Sequence, residues 1–403
     1  MMKCGFDLGT DIFSPTTSYK VQKYLGSGSF GIVTECKKVT TSEMVALKIF
    51  RSKEQIRTAK LEEINLCKLK DLNADRFNIV RWNDSFTYKE CYCLEFEKLD
   101  IELFKFIRSS PTQSLNLMQI RPILQQLATA LDFLKSTGIT HGDLKPQNIM
   151  MVQHLLSLRI KVIDFGSALS NPAKHVGATI QTLLYRSPEI LLGAPFNEAI
   201  DVWSLGCIAA EMFRGKLLFN VKDKYNLMNN IVHTIGKPYQ KLLTAGQFAH
   251  YFFWPSYQTG SIRWIFRSLD ERDDSFQPSK RMSCLEELIM ICHGPSEIGG
   301  EASEHDLAYF TNLLTQMLKV DPSERITPRG ILEHPFITMS HLQDAFKNGP
   351  YVKSCMDMMS DCQDQSFPSG KDGAKTTRQT SLNKRTSTSS DGNSRSQKRK
   401  RPY

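Results

Sequence analysis

The sequence predicts an α+β chain in two lobes, a small β-rich one followed by a larger helical one. Three observations carry this. Between Tyr19 and about Phe96, short β-type runs alternate with turn or polar residues. After residue 100 the apolar residues recur at threes and fours, the period of a helix. The 403 residues, 41% hydrophobic and 23% charged with a mean hydropathy of −0.31, suffice for a large buried core.

Charge and cysteine usage narrow the class. The net charge is +9, but residues 363–403 hold ten Lys/Arg against three Asp, which leaves only +2 for everything before them. That last segment has four apolar side chains among many Ser and Thr, too few to offset chain entropy, so a disordered basic tail is expected. The nearly neutral body argues against direct nucleic-acid binding by it. The ten cysteines are scattered without framework spacing and read as free thiols. No stretch reaches the ~18 uncharged apolar residues of a membrane span, and Asp7 and Asp11 interrupt the start before any secretory apolar run. A soluble intracellular protein without membrane contact is expected.

Strands are predicted at Tyr19–Leu25, Gly31–Lys37, Val45–Phe50, Asn78–Ser85 and Cys91–Glu97, with one helix at Gln55–Leu69 between them. Leu117, Ile120, Leu124, Leu127, Leu131 and Leu134 form one apolar stripe, and Gly138 stands where that helix should stop. Further helices are predicted at Ala199–Phe213, Leu285–Cys292, Asp306–Leu318 and Pro328–Glu333.

Chemistry enters with the run from Leu25 to Val33, which has glycines at 26, 28 and 31. Such spacing lets two strands turn tightly and brings backbone amides close to phosphate oxygens. Ile32, Val33 and Thr34 continue as a strand rather than a helix, which points to a hairpin flap over a nucleotide and away from a dinucleotide fold. In the strand that follows, Ala46 and Lys48 share a face, the small residue leaving room for a flat base and the ammonium reaching its phosphates. A buried lysine needs a counter-ion. The next helix offers Glu62 and Glu63; Glu63 is preferred, and one residue of helix phase decides between them.

His141-Gly-Asp-Leu-Lys-Pro-Gln-Asn148, followed by Asp164-Phe-Gly166, is the most informative segment. Two apolar runs between them, Ile149–Val152 and Ile160–Ile163, read as a hairpin that brings Asn148 and Asp164 together. An amide oxygen and a carboxylate then make a hard-oxygen site suited to Mg²⁺. Asp143 is the candidate base for a hydroxyl, and Lys145 the candidate cation for a transferred phosphoryl group.

With these motifs in this order, the chain resembles a eukaryotic protein kinase. Ser187-Pro-Glu189 is similar to the family's Ala-Pro-Glu element, Asp201-Val-Trp-Ser-Leu-Gly206 to its core helix, and Arg325 to the partner of Glu189. Lys145 after Asp143 is the serine/threonine type of loop. Within kinases, Arg121–Leu131, Ile160–Ala168, Pro188–Phe196, Arg325–Pro328, His334–Met339 and Val352–Cys355 resemble the homeodomain-interacting protein kinases.

The resemblance implies the bilobal protein-kinase fold of the CMGC group. Residues 1–18 would be an N-terminal extension and 19–337 the kinase domain, with lobes 19–97 and 100–337 and a group-specific insert at about 237–305. Residues 338–362 would extend it, and 363–403 would be the tail. It implies Ser/Thr phosphotransfer from ATP with Mg²⁺ to protein substrates, transcription regulators among them, in the nucleus and in part the cytoplasm. The rival reading is a catalytically weak or inactive nuclear scaffold. The implied catalytic residues are Asp143, Lys145, Lys48 and Glu63, with Asn148 and Asp164 on metal. The implied nucleotide contacts are Leu25, Gly26, Ser27, Gly28, Ser29, Phe30, Gly31, Ile32, Val33, Ala46, Lys48, Phe96, Glu97 and Leu99, with Phe96 as gatekeeper and Glu97–Leu99 as hinge.

The chain departs from the family at three places. Gly142 replaces the Ala of its catalytic loop, Thr179 its activation-loop tyrosine, and Leu183 the arginine that pairs with that tyrosine's phosphate. Tyrosine-based self-activation is not expected to carry over, and whether the chain prefers proline after the target residue stays open. Lys398-Arg-Lys-Arg401 matches a nuclear-import signal. Cys91-x-Cys93 reads as two strand thiols rather than a zinc site. Phe252, Phe253 and Trp254 are expected to pack on the lobe rather than to dock a partner.

Overall fold

Alternation along the first hundred residues builds a curled antiparallel sheet. In this computed structural model, which describes residues 6–28, 31–258, 261–267, 284–285, 287, 300–343 and 346–363, β1 is Asp11–Phe13, β2 Ser18–Gly28, β3 Gly31–Lys38, β4 Met44–Phe50, β5 Trp82–Tyr88 and β6 Cys91–Glu97. Their order is β1-β2-β3-β4-β6-β5. On β4, Val45, Leu47 and Ile49 enter an apolar cluster with Ile12, Tyr19, Val21, Cys36 and Cys93. Ala46 and Lys48 therefore face the other way, toward the second lobe.

Helix α1 (Lys53–Asp71) begins where Ser52 and Gln55 close a capping box. The predicted strand at Asn78–Ser85 is shifted to Trp82–Tyr88. A 3₁₀ turn at Ala74–Phe77 lies between Asn73 and Asn78, both with positive φ, and Ile79 bridges to Val162 instead of joining the sheet. The N-terminal extension is also more than an extension, because β1 pairs with β2 and buries Ile12.

Helix α2 (Leu103–Ser109) leads to α3 (Leu117–Ser136), whose predicted stripe is buried and whose end is marked by Gly138 at φ +71°. Then come β7 (Ile149–Met151) and β8 (Ile160–Val162), the predicted hairpin. Helix α4 (Pro188–Leu191) and the buried α5 (Ala199–Arg214) follow. Helices at Gly300–Met317 and Pro328–Glu333 complete the core, and one at Pro350–Gln363 packs through Tyr351, Val352 and Cys355. Of the helix predicted at Leu285–Cys292, Leu285 and Glu287 are helical and the rest lies outside the described residues, as do Ser29, Phe30 and the tail from 364 onward. In the insert, Phe252 and Phe253 are buried whereas Trp254 is 55% exposed under the Arg267 guanidinium. Among the described residues no helix is long and apolar enough to cross a membrane.

Candidate active site

The glycine-bearing run folds as the expected hairpin. Gly28 pairs with Gly31, Ser27 with Ile32 and Gly26 with Val33 across β2 and β3. Gly31 has no substitute: its φ is +100°, and a Cβ would lie 2.3 Å from the Ile49 carbonyl oxygen. Beside the hairpin, β4 and β6 set Ala46 opposite Phe96 and Val45 opposite Glu97, so the small residue and the aromatic one are cross-strand neighbours just before the hinge segment.

Lys48 has a carboxylate on either side. Its Nζ donates to Glu62 Oε1 at 3.0 Å and Oε2 at 2.9 Å, and to Asp164 Oδ1 at 2.8 Å. Burial alone would push the ammonium down, but Glu62 and then Asp164 reverse this and hold it above its ordinary value. Burial likewise pushes Asp164 up, and Lys48 beside it outweighs that and holds it low. Glu62 is raised by burial, with Lys48 opposing.

The partner of Lys48 is thus Glu62 and not Glu63. Helix α1 buries Ala59, Glu62, Leu66 and Leu69, a three-four-three spacing that contains Glu62. Glu63 lies a further 100° around the helix, where it accepts from Ser85 Oγ and from Tyr92 OH at 2.6 Å. The phase was disguised by Leu61 and Ile64, which are 58% and 54% exposed.

The catalytic-loop candidates converge as predicted. Asp143 Oδ1 accepts from the Thr182 hydroxyl at 2.7 Å and its N–H at 3.0 Å, while Oδ2 accepts from Lys145 Nζ at 2.6 Å. Asn148 donates its amide N–H to the Asp143 carbonyl at 2.8 Å, so its Oδ1 is the end left for a cation. The β7–β8 hairpin brings Asn148 to Asp164, with the Ile163 N–H bonded to the Asn148 carbonyl at 2.9 Å. Asp164 itself is held at φ +65°, a strained conformation for a non-glycine residue.

A protein kinase domain model matches residues 19–337. The chain belongs to the protein kinase family. It is 41% identical over 361 residues to homeodomain-interacting protein kinase 1 of Mus musculus, covering 87% of this chain and 30% of that protein. It is 35% identical over 366 residues to homeodomain-interacting protein kinase 1 of Caenorhabditis elegans, covering 86% and 43%. It is 33% identical over 344 residues to serine/threonine-protein kinase ppk15 of Schizosaccharomyces pombe, covering 82% and 63%. The chain therefore spans about 30% of the length of homeodomain-interacting protein kinase 1 of Mus musculus and of Rattus norvegicus.

In this protein kinase the loop and core are tied together by buried carboxylates. Asp201 accepts the backbone N–H of His141 at 2.7 Å and of Gly142 at 3.0 Å, and burial raises its pKa. Glu189 and Arg325, both fully buried, form a two-pronged pair at 2.8 and 3.1 Å.

The segment between Asp164 and Glu189 is held by a polar network. Thr179 is exposed. Its neighbour but one, Gln181, is buried at φ +62° and is the hub that sequence reasoning missed. The Gln181 amide donates to the Ile200 carbonyl at 3.0 Å and Ser204 Oγ at 2.9 Å, and its Oε1 accepts the Ser187 N–H at 3.0 Å. Arg186 closes the turn by donating to the Ile180 and Gln181 carbonyls. Leu183 and Leu184 pack against the large apolar core as an adjunct to this polar network.

Protein kinases use ATP and magnesium. The donor set fits them: one amide oxygen and one carboxylate make an incomplete hard-oxygen site that phosphates would finish. The deep Lys48 and the backbone of the glycine hairpin suit the phosphates themselves.

Proposed function

We propose that this chain is a serine/threonine protein kinase that transfers the ATP γ-phosphoryl group to Ser and Thr hydroxyls of protein substrates. The observation that carries the reading is Asp143, whose Oδ1 already accepts a threonine hydroxyl at 2.7 Å while Lys145 sits on Oδ2. A substrate hydroxyl taking the place of Thr182 Oγ1 would be oriented, and would pass its proton to the carboxylate. Lys145 stays beside the transferred group and offsets its charge. Lys48, braced by Glu62, holds the phosphates, and Asn148 and Asp164 hold magnesium. When bound, magnesium and ATP supply the phosphoryl group and neutralise its charge. The hinge at Glu97–Leu99 receives the base.

The scaffold alternative keeps the fold without the chemistry; the complete set of charged groups argues against it. The nuclear reading rests on Lys398–Arg401 and on relatives whose name says that they interact with homeodomain proteins. By that reading the substrates include transcription regulators, and the enzyme works in the nucleus.

The test is ATP-dependent phosphorylation of a generic Ser/Thr-rich protein by the purified full chain beside Asp143→Asn. Equal incorporation by both proteins, or none by the wild type, would sink the reading.

A further inference from the structure

Lys161 is the middle residue of β8, between Ile160 and Val162, and is only 8% exposed. A lysine at such a site needs a compensating charge. Its Nζ donates to Glu97 Oε1 at 2.5 Å. The same oxygen accepts the Arg81 N–H at 2.6 Å, and the Glu97 N–H bonds the Arg81 carbonyl at 3.0 Å. Glu97 is thus fastened by its backbone to the approach to β5 and by its side chain to β8.

The two ends of this contact matter. Glu97 begins the hinge that presents its backbone to a base, and β8 runs into Asp164 two residues beyond Val162. The ion pair therefore joins the base-binding edge to the strand that delivers the metal candidate. Strand β8 does not depend on it for attachment, because Val162 donates to the Asn78 carbonyl at 2.7 Å and accepts from Val80 at 2.9 Å. What the pair adds is a fixed position for the hinge.

We infer that Lys161 is a positioning residue for the nucleotide: by clamping the Glu97 carboxylate it holds the hinge backbone ready for the base. The inference rests on the kinase reading above. Without Lys161 the carboxylate keeps one donor, the Arg81 N–H, and the hinge is free to shift.

The test uses the full chain as wild type, Lys161→Met, Lys161→Arg and Glu97→Gln, measuring ATP KM and kcat together with the Kd of a non-hydrolysable ATP analogue. Lys161→Met is expected to raise KM and Kd about fivefold, with a smaller loss in kcat at saturating ATP. Lys161→Arg should restore most of the affinity, and Lys161→Met added to Glu97→Gln should cost less than about twofold more. Unchanged KM and Kd, or a fall in kcat and Tm without a change in affinity, would overturn the inference. A wild type that neither binds the analogue nor transfers phosphate would instead overturn the kinase reading.

Discussion

Lys48 and Glu62 meet through both carboxylate oxygens, at 2.9 and 3.0 Å, in a site where water reaches neither charge freely. The pair sets the reach of the ammonium, because Glu62 is anchored on the buried face of α1 and Lys48 on a central strand. Glu62→Gln should therefore lower phosphotransfer by at least about tenfold, the scale of one lost optimal contact. Glu63→Gln should alter activity by less than about twofold, because Glu63 bonds Tyr92 and Ser85 instead. A steady-state assay of both variants decides it; a larger loss from Glu63→Gln would reverse the assignment.

Lys48→Arg keeps the charge but replaces a compact ammonium that fits between two carboxylates with a planar fork. Phosphotransfer is expected to drop at least about tenfold. Wild-type turnover by this variant would count against the pocket.

Regulation should not run through Thr179. The residue is exposed, and Gln181 and Arg186 order the segment around it. Thr179→Ala should change activity less than about threefold, whereas Gln181→Leu should cost more than that because it strands the Ser187 N–H and removes the tie to α5 beside Thr182, which sits on Asp143. Mass spectrometry of active protein should find no phosphate on Tyr185, whose hydroxyl is buried and donates to Glu211 at 2.6 Å. Recovery of phosphotyrosine there would refute this account of the segment.

Asp306 ties three elements. It accepts from Arg121 of α3, from Tyr351 OH at 2.6 Å and from His341 at 2.9 Å, and both it and Arg121 are fully buried. Burial pushes its carboxyl up, but the His341 and Arg121 contacts outweigh that and hold it low. A carboxyl with a depressed folded pKa stabilises the fold above about pH 4 and loses that contribution as pH falls through the folded value. Asp306→Asn should cost about 3–5 kcal/mol at neutral pH by leaving the Arg121 charge buried and unpaired. Thermal melts should show the gap between wild type and variant narrowing below about pH 4; a gap independent of pH would show that the charge is not what matters.

Much of this was readable in the residues. The hairpin of Gly26 to Gly31, the lysine on β4, the Asn148–Asp164 convergence and the stripe of α3 follow from local periodicity and turn chemistry, which a sequence displays directly. What stayed hidden depended on long-range partners. The choice between Glu62 and Glu63 needed the phase of α1, which two exposed apolar residues obscured. Gln181 looked like an ordinary loop polar residue because the partners of its side chain, Ile200, Ser204 and Ser187, come from α5 and the turn before α4. Lys161, by contrast, carried a signal: a lysine in the centre of an otherwise apolar strand asks for a distant acid.

The Arg121–Asp306–Tyr351 contact has a bearing on where this protein ends as a folding entity. The kinase family match stops at residue 337, yet His341 and Tyr351 lie beyond it, and Tyr351 enters the interior beside a guanidinium that belongs to the heart of the large lobe. Recombinant expression of residues 1–337 would leave an aspartate and an arginine with part of their solvation shell removed and nothing put back. Shared ancestry with other kinases and physical self-sufficiency thus have different borders in this chain, about 25 residues apart, and a fragment cut at the first should aggregate where one cut after Gln363 stays soluble.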